Sequence, residues 1–189
     1  LLAPSAMAQS PSAASAAVAA APAGSGPGLW VVKDEDSTLY LFGTVHVLKP
    51  DTPWGTARVD RAFASADEYW FEIADLSDQS GVMPIIQAKG VSPDRPLSSL
   101  LTSDEMAELD AAARTVGATA AQLDPLRPWL ASLQLALASI QKAGYVAANG
   151  GDQTLHARAA ATGKPIKGFE TAPQQIGFIA DMSEEAQLA

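Results

Sequence analysis

Three ionisable side chains stand at or near the ends of strand-forming runs: His46 after YLFGTV, Glu72 within YWFEIA and Glu170 after PIKGF. Imidazole and carboxylate move protons near neutral pH, and together they also ligate divalent metals. Glu72 is flanked by Tyr69, Trp70, Phe71 and Ile73. Burying a carboxylate among such side chains costs on the order of several kcal/mol unless a cation or donors compensate it. The sequence therefore predicts something positive facing Glu72, either a metal ion or an arginine such as Arg127. His46 reads either as a hydrogen-bonding residue at a strand end or as a ligand. Gly43, three residues earlier, favours the second reading because it lets another backbone or a ligand approach closely.

Two further carboxylates and a second histidine have competing readings. Asp152 reads first as the N-cap of the helical run QTLHARAAATG, since a short carboxylate there accepts from the free N–H groups of the first turn, and second as a ligand. His156 lies four residues after Asp152 and reads as a solvated helix histidine rather than a ligand. Glu170 is divided between bonding nearby backbone and serving a site.

These residues need elements to position them. LWVV, the polar KDEDS and TLYLFGTV read as a β-hairpin whose second strand ends at His46. TARVDRAFASADE places Val59 and Phe63 four apart, as a helix does, and EYWFEIADL returns to a strand, giving a second β-α-β step. GVMPIIQAKG suggests a short helix and VSPDRPLSSLL a loop. Thr102 and Glu105 have the spacing of a capping box, opening a helix from Ser103 to Thr115 that closes near Gly117. After Pro125 and Pro128, the residues Leu126, Leu130, Leu133, Leu137 and Ile140 recur at helical spacing, and the run reads as central to the core. KPIKGFE is a strand, and Thr171 with Gln174 caps a last helix with Pro173 near its start. Strands alternating with helices give an α/β (mixed α+β) class, with a central, largely parallel sheet covered by helices. Such sheets bind ligands beyond the carboxyl ends of their strands, where His46, Glu72 and Glu170 would meet.

Composition removes several function classes. The chain has 189 residues, 21 acidic and 12 basic side chains and a net charge of -9, so it offers no basic surface for nucleic acid or anionic lipid. It contains no cysteine, which excludes a disulfide framework, thiolate ligation and a cysteine nucleophile. The first 32 residues carry no Asp, Glu, Lys or Arg. Residues 1–8 resemble the end of a signal peptide, with Ala6-Met7-Ala8 as the cleavage box, or else belong to a low-complexity tail. Residues 9–28 read as a disordered Ala/Ser/Pro/Gly linker, and residues 29–189 as the folded domain. The expected location is exported, periplasmic or secreted, with no integral membrane segment.

LYLFGTVHVLKPDTPWGTARVDRAFASADEYWFEIAD resembles the N-terminal signature of the TraB/PrgY/GumN family, which includes the Tiki proteases. Gly43 and His46 match its GxxH motif, and Glu72 its acidic residue on the next strand. LRPWLASLQL and GGDQTLHARAAATGKPIKGFETAPQQ extend the resemblance, with Phe169 where Leu is common. The ordered set is far more specific than GxxH alone. Family members carry a second GxxH, which this sequence lacks, so the resemblance implies a truncated, N-terminal fragment with an incomplete site and the missing motif beyond Ala189.

The resemblance implies a fold related to the erythromycin-esterase and ChaN-like group, incomplete at the C-terminus, and metal-dependent peptide hydrolysis. Imidazole and carboxylate without thiolate suit Mn, Co or Zn. On this reading His46 and Glu72 are the metal ligands and catalytic residues, with Glu72 as ligand or base. Gly43, Arg127, Asp152 and Glu170 are orienting or substrate-binding residues, and a peptide or protein is the substrate. The alternative is an exported, non-catalytic binding module that sequesters a peptide or takes part in polysaccharide production. A third reading is an esterase, from the fold relatives alone.

Overall fold

The computed structural model describes residues 27–188 and the two-residue strand Val18–Ala19. The signal-like residues 1–8, and the linker expected at 9–28 apart from Val18–Ala19 and residues 27–28, lie outside the described residues. The chain divides into two compact units, one formed by residues 1–43 and 54–64, the other by residues 44–53 and 65–189.

The first unit is an antiparallel sheet with one helix. β1 (Val18–Ala19) pairs with β2 (Leu29–Lys33), which pairs in turn with β3 (Thr38–Phe42) from Leu29 opposite Phe42 to Lys33 opposite Thr38. The expected hairpin is present, and its acidic turn is self-bonded: Asp34 accepts from the Ser37 amide at 2.7 Å and from the Ser37 hydroxyl at 2.7 Å. Helix α1 (Ala57–Ser65) has Val59 and Ala62 buried, and both cluster with Leu29 and with the half-buried Tyr40, Phe42 and Trp54. Arg58 donates to the Leu29 carbonyl at 3.0 Å.

The second unit is mostly helical. β4 (Tyr69–Ile73) precedes α2 (Val82–Lys89), α3 (Ser103–Thr115), α4 (Ala120–Leu123), α5 (Pro128–Lys142) and α6 (Gly151–Thr162). β5 (Ile166–Glu170), α7 (Ala172–Ala180) and α8 (Glu184–Leu188) complete it. The capping boxes at Thr102/Glu105 and Thr171/Gln174 are formed as their spacing requires, and Gly117 adopts a positive φ of 81° after α3. Thr119 and Gln122 form a third box at the start of α4, a short helix that a T-x-x-Q spacing signals but the apolar periodicity does not.

Two apolar clusters stabilise this unit: Leu97, Ala113, Leu123 and Ala131 around α3, α4 and α5, and Trp129, Leu130 and Ala180 with Ile85, Ile86 and Ile176 between α5, α2 and α7. Trp129 also donates its indole N–H to the Lys89 carbonyl at 2.7 Å. Only the first turns of α5 are buried, at Pro128, Trp129, Leu130 and Ala131, whereas Leu137 is 45% exposed. The helix is thus anchored at its N-terminal end rather than running through the core as its periodicity suggests.

The mixed α/β class is observed, but among the described residues the strands form two small sheets rather than a single central one. β3 and β4 belong to different sheets, so the step β3-α1-β4 is no β-α-β unit among the described residues. β4 instead pairs in parallel with β5, Tyr69 opposite Ile166 and Ile73 opposite Glu170, across a long helical crossover. No helix among the described residues is long and apolar enough to cross a membrane.

Candidate functional site

The loop after β3 brings His46 to the start of α6 within the second unit. β3 ends at Phe42, so His46 does not close a strand as expected. Its loop is fastened on both sides by backbone bonds. The Val45 carbonyl accepts from the Gly151 amide at 2.9 Å, and Leu48 and Val146 exchange N–H···O bonds of 3.3 and 2.9 Å. Gly150 makes this approach possible, because a Cβ there would lie 2.2 Å from the His46 carbonyl oxygen.

The imidazole of His46 lies between two carboxylates. Its Nδ1 is 3.2 Å from Asp152 Oδ2 and its Nε2 is 3.6 Å from Glu72 Oε2. A neutral imidazole donates from one nitrogen only, so it serves one carboxylate, whereas the doubly protonated ring serves both. The Asp152 side chain is 20% exposed, and those of His46 and Glu72 are 66% and 61% exposed. The inner partner is therefore Asp152, whose Oδ1 is buried with no hydrogen-bond partner. Helix α6 begins at Gly151 with Gly150 as its cap, which leaves Asp152 inside the first turn rather than capping it as expected. Its side chain is spent on His46 instead.

Glu72 escapes the burial expected of it through strand alternation. Tyr69, Phe71 and Ile73 turn to the covered face of β4, while Trp70 and Glu72 are exposed on the other. Its partners are His46 and Gln175, which donates from Nε2 to Glu72 Oε2 at 3.2 Å. Among the described residues Arg127 does not form the expected ion pair with it. That residue is the N-cap of α5, and its amide donates to the Gly90 carbonyl at 2.8 Å. Glu170 pairs in register with Ile73, so alternation turns it to the ribbon face opposite Glu72. At Gly43 a Cβ would meet nothing within 4 Å, so the close approach expected at this glycine is not observed among the described residues.

The loop leaving β4 keeps its carboxylates ionised. Asp75 accepts from the Ser77 hydroxyl at 2.6 Å and from its amide at 2.9 Å, and Asp78 binds Ser80 in the same way at 2.6 and 3.1 Å. The serine hydroxyls, then the serine amides, hold both acids below the usual carboxylate range. The structure thus gathers His46, Glu72 and Asp152, and adds Gln175 and Gly150. Gln175 was accessible to sequence reasoning only as the residue after the capping Gln174. A cap at Thr171 fixes the first turn of α7 and thereby the direction of both glutamines. Among the described residues no group of three or more His, Cys, Asp or Glu side chains is arranged to hold a metal ion.

A family model described as the TraB/PrgY/gumN family matches residues 28–189, nearly the whole described chain. The chain belongs to the TraB/PrgY/gumN family. No curated protein and no solved structure matches it. In this TraB/PrgY/gumN member His46 of the GTVH sequence and Glu72 of β4 face one another across Nε2 and Oε2. The aspartate of the GGD sequence approaches the same ring from its other nitrogen.

Proposed function

We propose that this protein is an exported, metal-dependent hydrolase acting on peptides, with His46 and Glu72 as metal ligands and Asp152 as the residue that orients His46. The observation that carries the reading is the line Asp152–His46–Glu72. Two donors on one tetrahedral ion, each about 2.0–2.2 Å from it, are about 3.4 Å apart. The 3.6 Å between His46 Nε2 and Glu72 Oε2 is close to that separation and too long for a good hydrogen bond. A carboxylate on the far nitrogen of a ligating imidazole is the usual companion of such a site, because it fixes the tautomer and raises ligand basicity. His46 and Glu72 would therefore suit Mn, Co or Zn. When bound, such an ion lowers the pKa of a water and polarises a carbonyl.

The chain's own residues have distinct tasks. Asp152 Oδ2 accepts the Nδ1 proton of His46 and leaves Nε2 as the lone-pair donor. Gln175 holds the Glu72 carboxylate through Oε2, and Oε1 is the oxygen that takes a proton from water as the carbonyl is attacked. His46→Ala in the full-length protein is expected to abolish peptide hydrolysis while leaving the far-UV circular dichroism unchanged, since the side chain is 66% exposed. Retained hydrolysis would refute the assignment, and cleavage of ester substrates alone would make the protein an esterase.

A second reading has its own observation. Trp70 and Phe169 are 46% and 69% exposed and pack with ring centroids 5.1 Å apart, tilted by 32°, on the Glu72 face of the ribbon. Such a platform suits a binding module that holds a peptide or sugar without chemistry. Peptide binding that survives in His46→Ala, with no metal in the parent, would favour it.

A further inference from the structure

Helix α6 carries a second polar contact one turn beyond Asp152. His156 Nε2 is 2.6 Å from the carbonyl oxygen of Ala74, the residue after β4, and its ring packs on Phe71 with centroids 5.0 Å apart. Since a carbonyl only accepts, the Nε2 of His156 carries the proton. The contact is partly buried, unlike the solvated helix histidine its spacing suggests.

Phe71 and Ala74 bracket Glu72. Phe71 directly precedes it and packs against His156 of α6, and Ala74 follows the last strand residue, Ile73. His156 thus grips the strand on both sides of Glu72, by ring contact before it and by hydrogen bond after it. Four residues earlier on the same helix, Asp152 holds the Nδ1 of His46. Residues four apart lie on one face of an α-helix, so a single rigid turn fixes both partners. Leu155 and Ala159, buried on the same helix, hold that turn in place.

We infer that His156 is a positioning residue that sets Glu72 against His46, with α6 acting as the gauge between them. The inference rests on the metal-site reading for its functional consequence, but its geometric content stands without it. Loss of the His156 contact frees the end of β4 and lets Glu72 move relative to a histidine that Asp152 still holds.

The test uses His156→Leu, which fills the volume without a donor, and His156→Gln, whose amide N–H reaches the same carbonyl. Thr102→Ala, a helix-cap loss at α3, is the stability control. Crystal structures of the parent and variants read the His46 Nε2–Glu72 Oε2 separation. It is expected near 3.6 Å in the parent and in Gln, and opened in Leu. Titration with Zn or Mn in calorimetry gives the second readout: affinity falling about 10–100-fold in Leu, regained in Gln and unchanged in Thr102→Ala. Should Leu not fold, His156→Asn, too short to reach Ala74, is expected to behave as Leu in both measurements. An unchanged separation in Leu or Asn overturns the inference, as does parental metal affinity in them. A parent that binds no metal defeats the metal reading alone, and the crystallographic separation then decides the positioning claim.

Discussion

At the scale of single residues, the proposed chemistry depends on which nitrogen of His46 faces which carboxylate. Asp152 is the better-buried partner and approaches Nδ1 at 3.2 Å, whereas Glu72 is largely exposed. Asp152→Asn keeps the shape but loses the charge that makes the imidazole a stronger ligand. It is expected to weaken Zn or Mn binding by about 10–100-fold, read by calorimetry, with little change in thermal midpoint. Equal affinity in the variant would remove Asp152 from the site. That His46 and Glu72 lie near one another was legible in the sequence, because each stands at or near the end of a strand-forming run. The contact of Asp152 with His46 was legible only through the family resemblance, which made Asp152 an orienting residue; taken alone, an aspartate at a helix start reads as a cap, and only the position of Gly150 shows that the helix begins before it. The burial inferred for Glu72 failed for a related reason: its apolar neighbours in sequence fall on both faces of a strand, and a carboxylate in such a run can face water.

Among the elements, helices whose ends carry side-chain signals were read most accurately. α3 begins and ends at the residues its capping box and Gly117 indicate, because those signals are local hydrogen bonds needing no tertiary context. Thr102→Ala is expected to cost about 1 kcal/mol, measured by urea unfolding, since the hydroxyl accepts the Glu105 amide. No loss would mean that solvent replaces the cap. Strand partners were the poorest reading. β3 and β4 are consecutive strands with a helix between them, yet β4 finds its partner in β5, nearly a hundred residues away in the register Tyr69 opposite Ile166. Alternation identifies a strand and its faces, but partner choice is set by long-range packing, here of α6 on β4 through His156 and Phe71. The apolar periodicity of α5 likewise told which face is apolar and not how far along the helix the burial extends.

For the whole molecule, net charge and bonded surface acids set the response to pH. Asp34, Glu68, Asp75, Asp78, Glu105 and Asp110 all titrate below their ordinary values of 3.8 for Asp and 4.5 for Glu. The leading causes are hydrogen bonds, from Ser37 to Asp34, from Lys167 to Glu68, and from the Ala120 amide to Asp110. A lowered folded value means that these groups stabilise the native state above the unfolded pKa, and that this stability is lost as pH falls through the folded values. The urea midpoint is expected to be level above about pH 5 and to drop steadily toward about pH 3, and a flat profile over that range would contradict it. Function at this scale rests on whether the site holds an ion. Elemental analysis of the full-length protein beside its His46→Ala and Glu72→Ala variants addresses this most directly. The account expects Mn, Co or Zn near one equivalent in the parent and loss of it in both variants. A parent without metal after dialysis against all three ions, or variants that keep it, would contradict the hydrolase assignment.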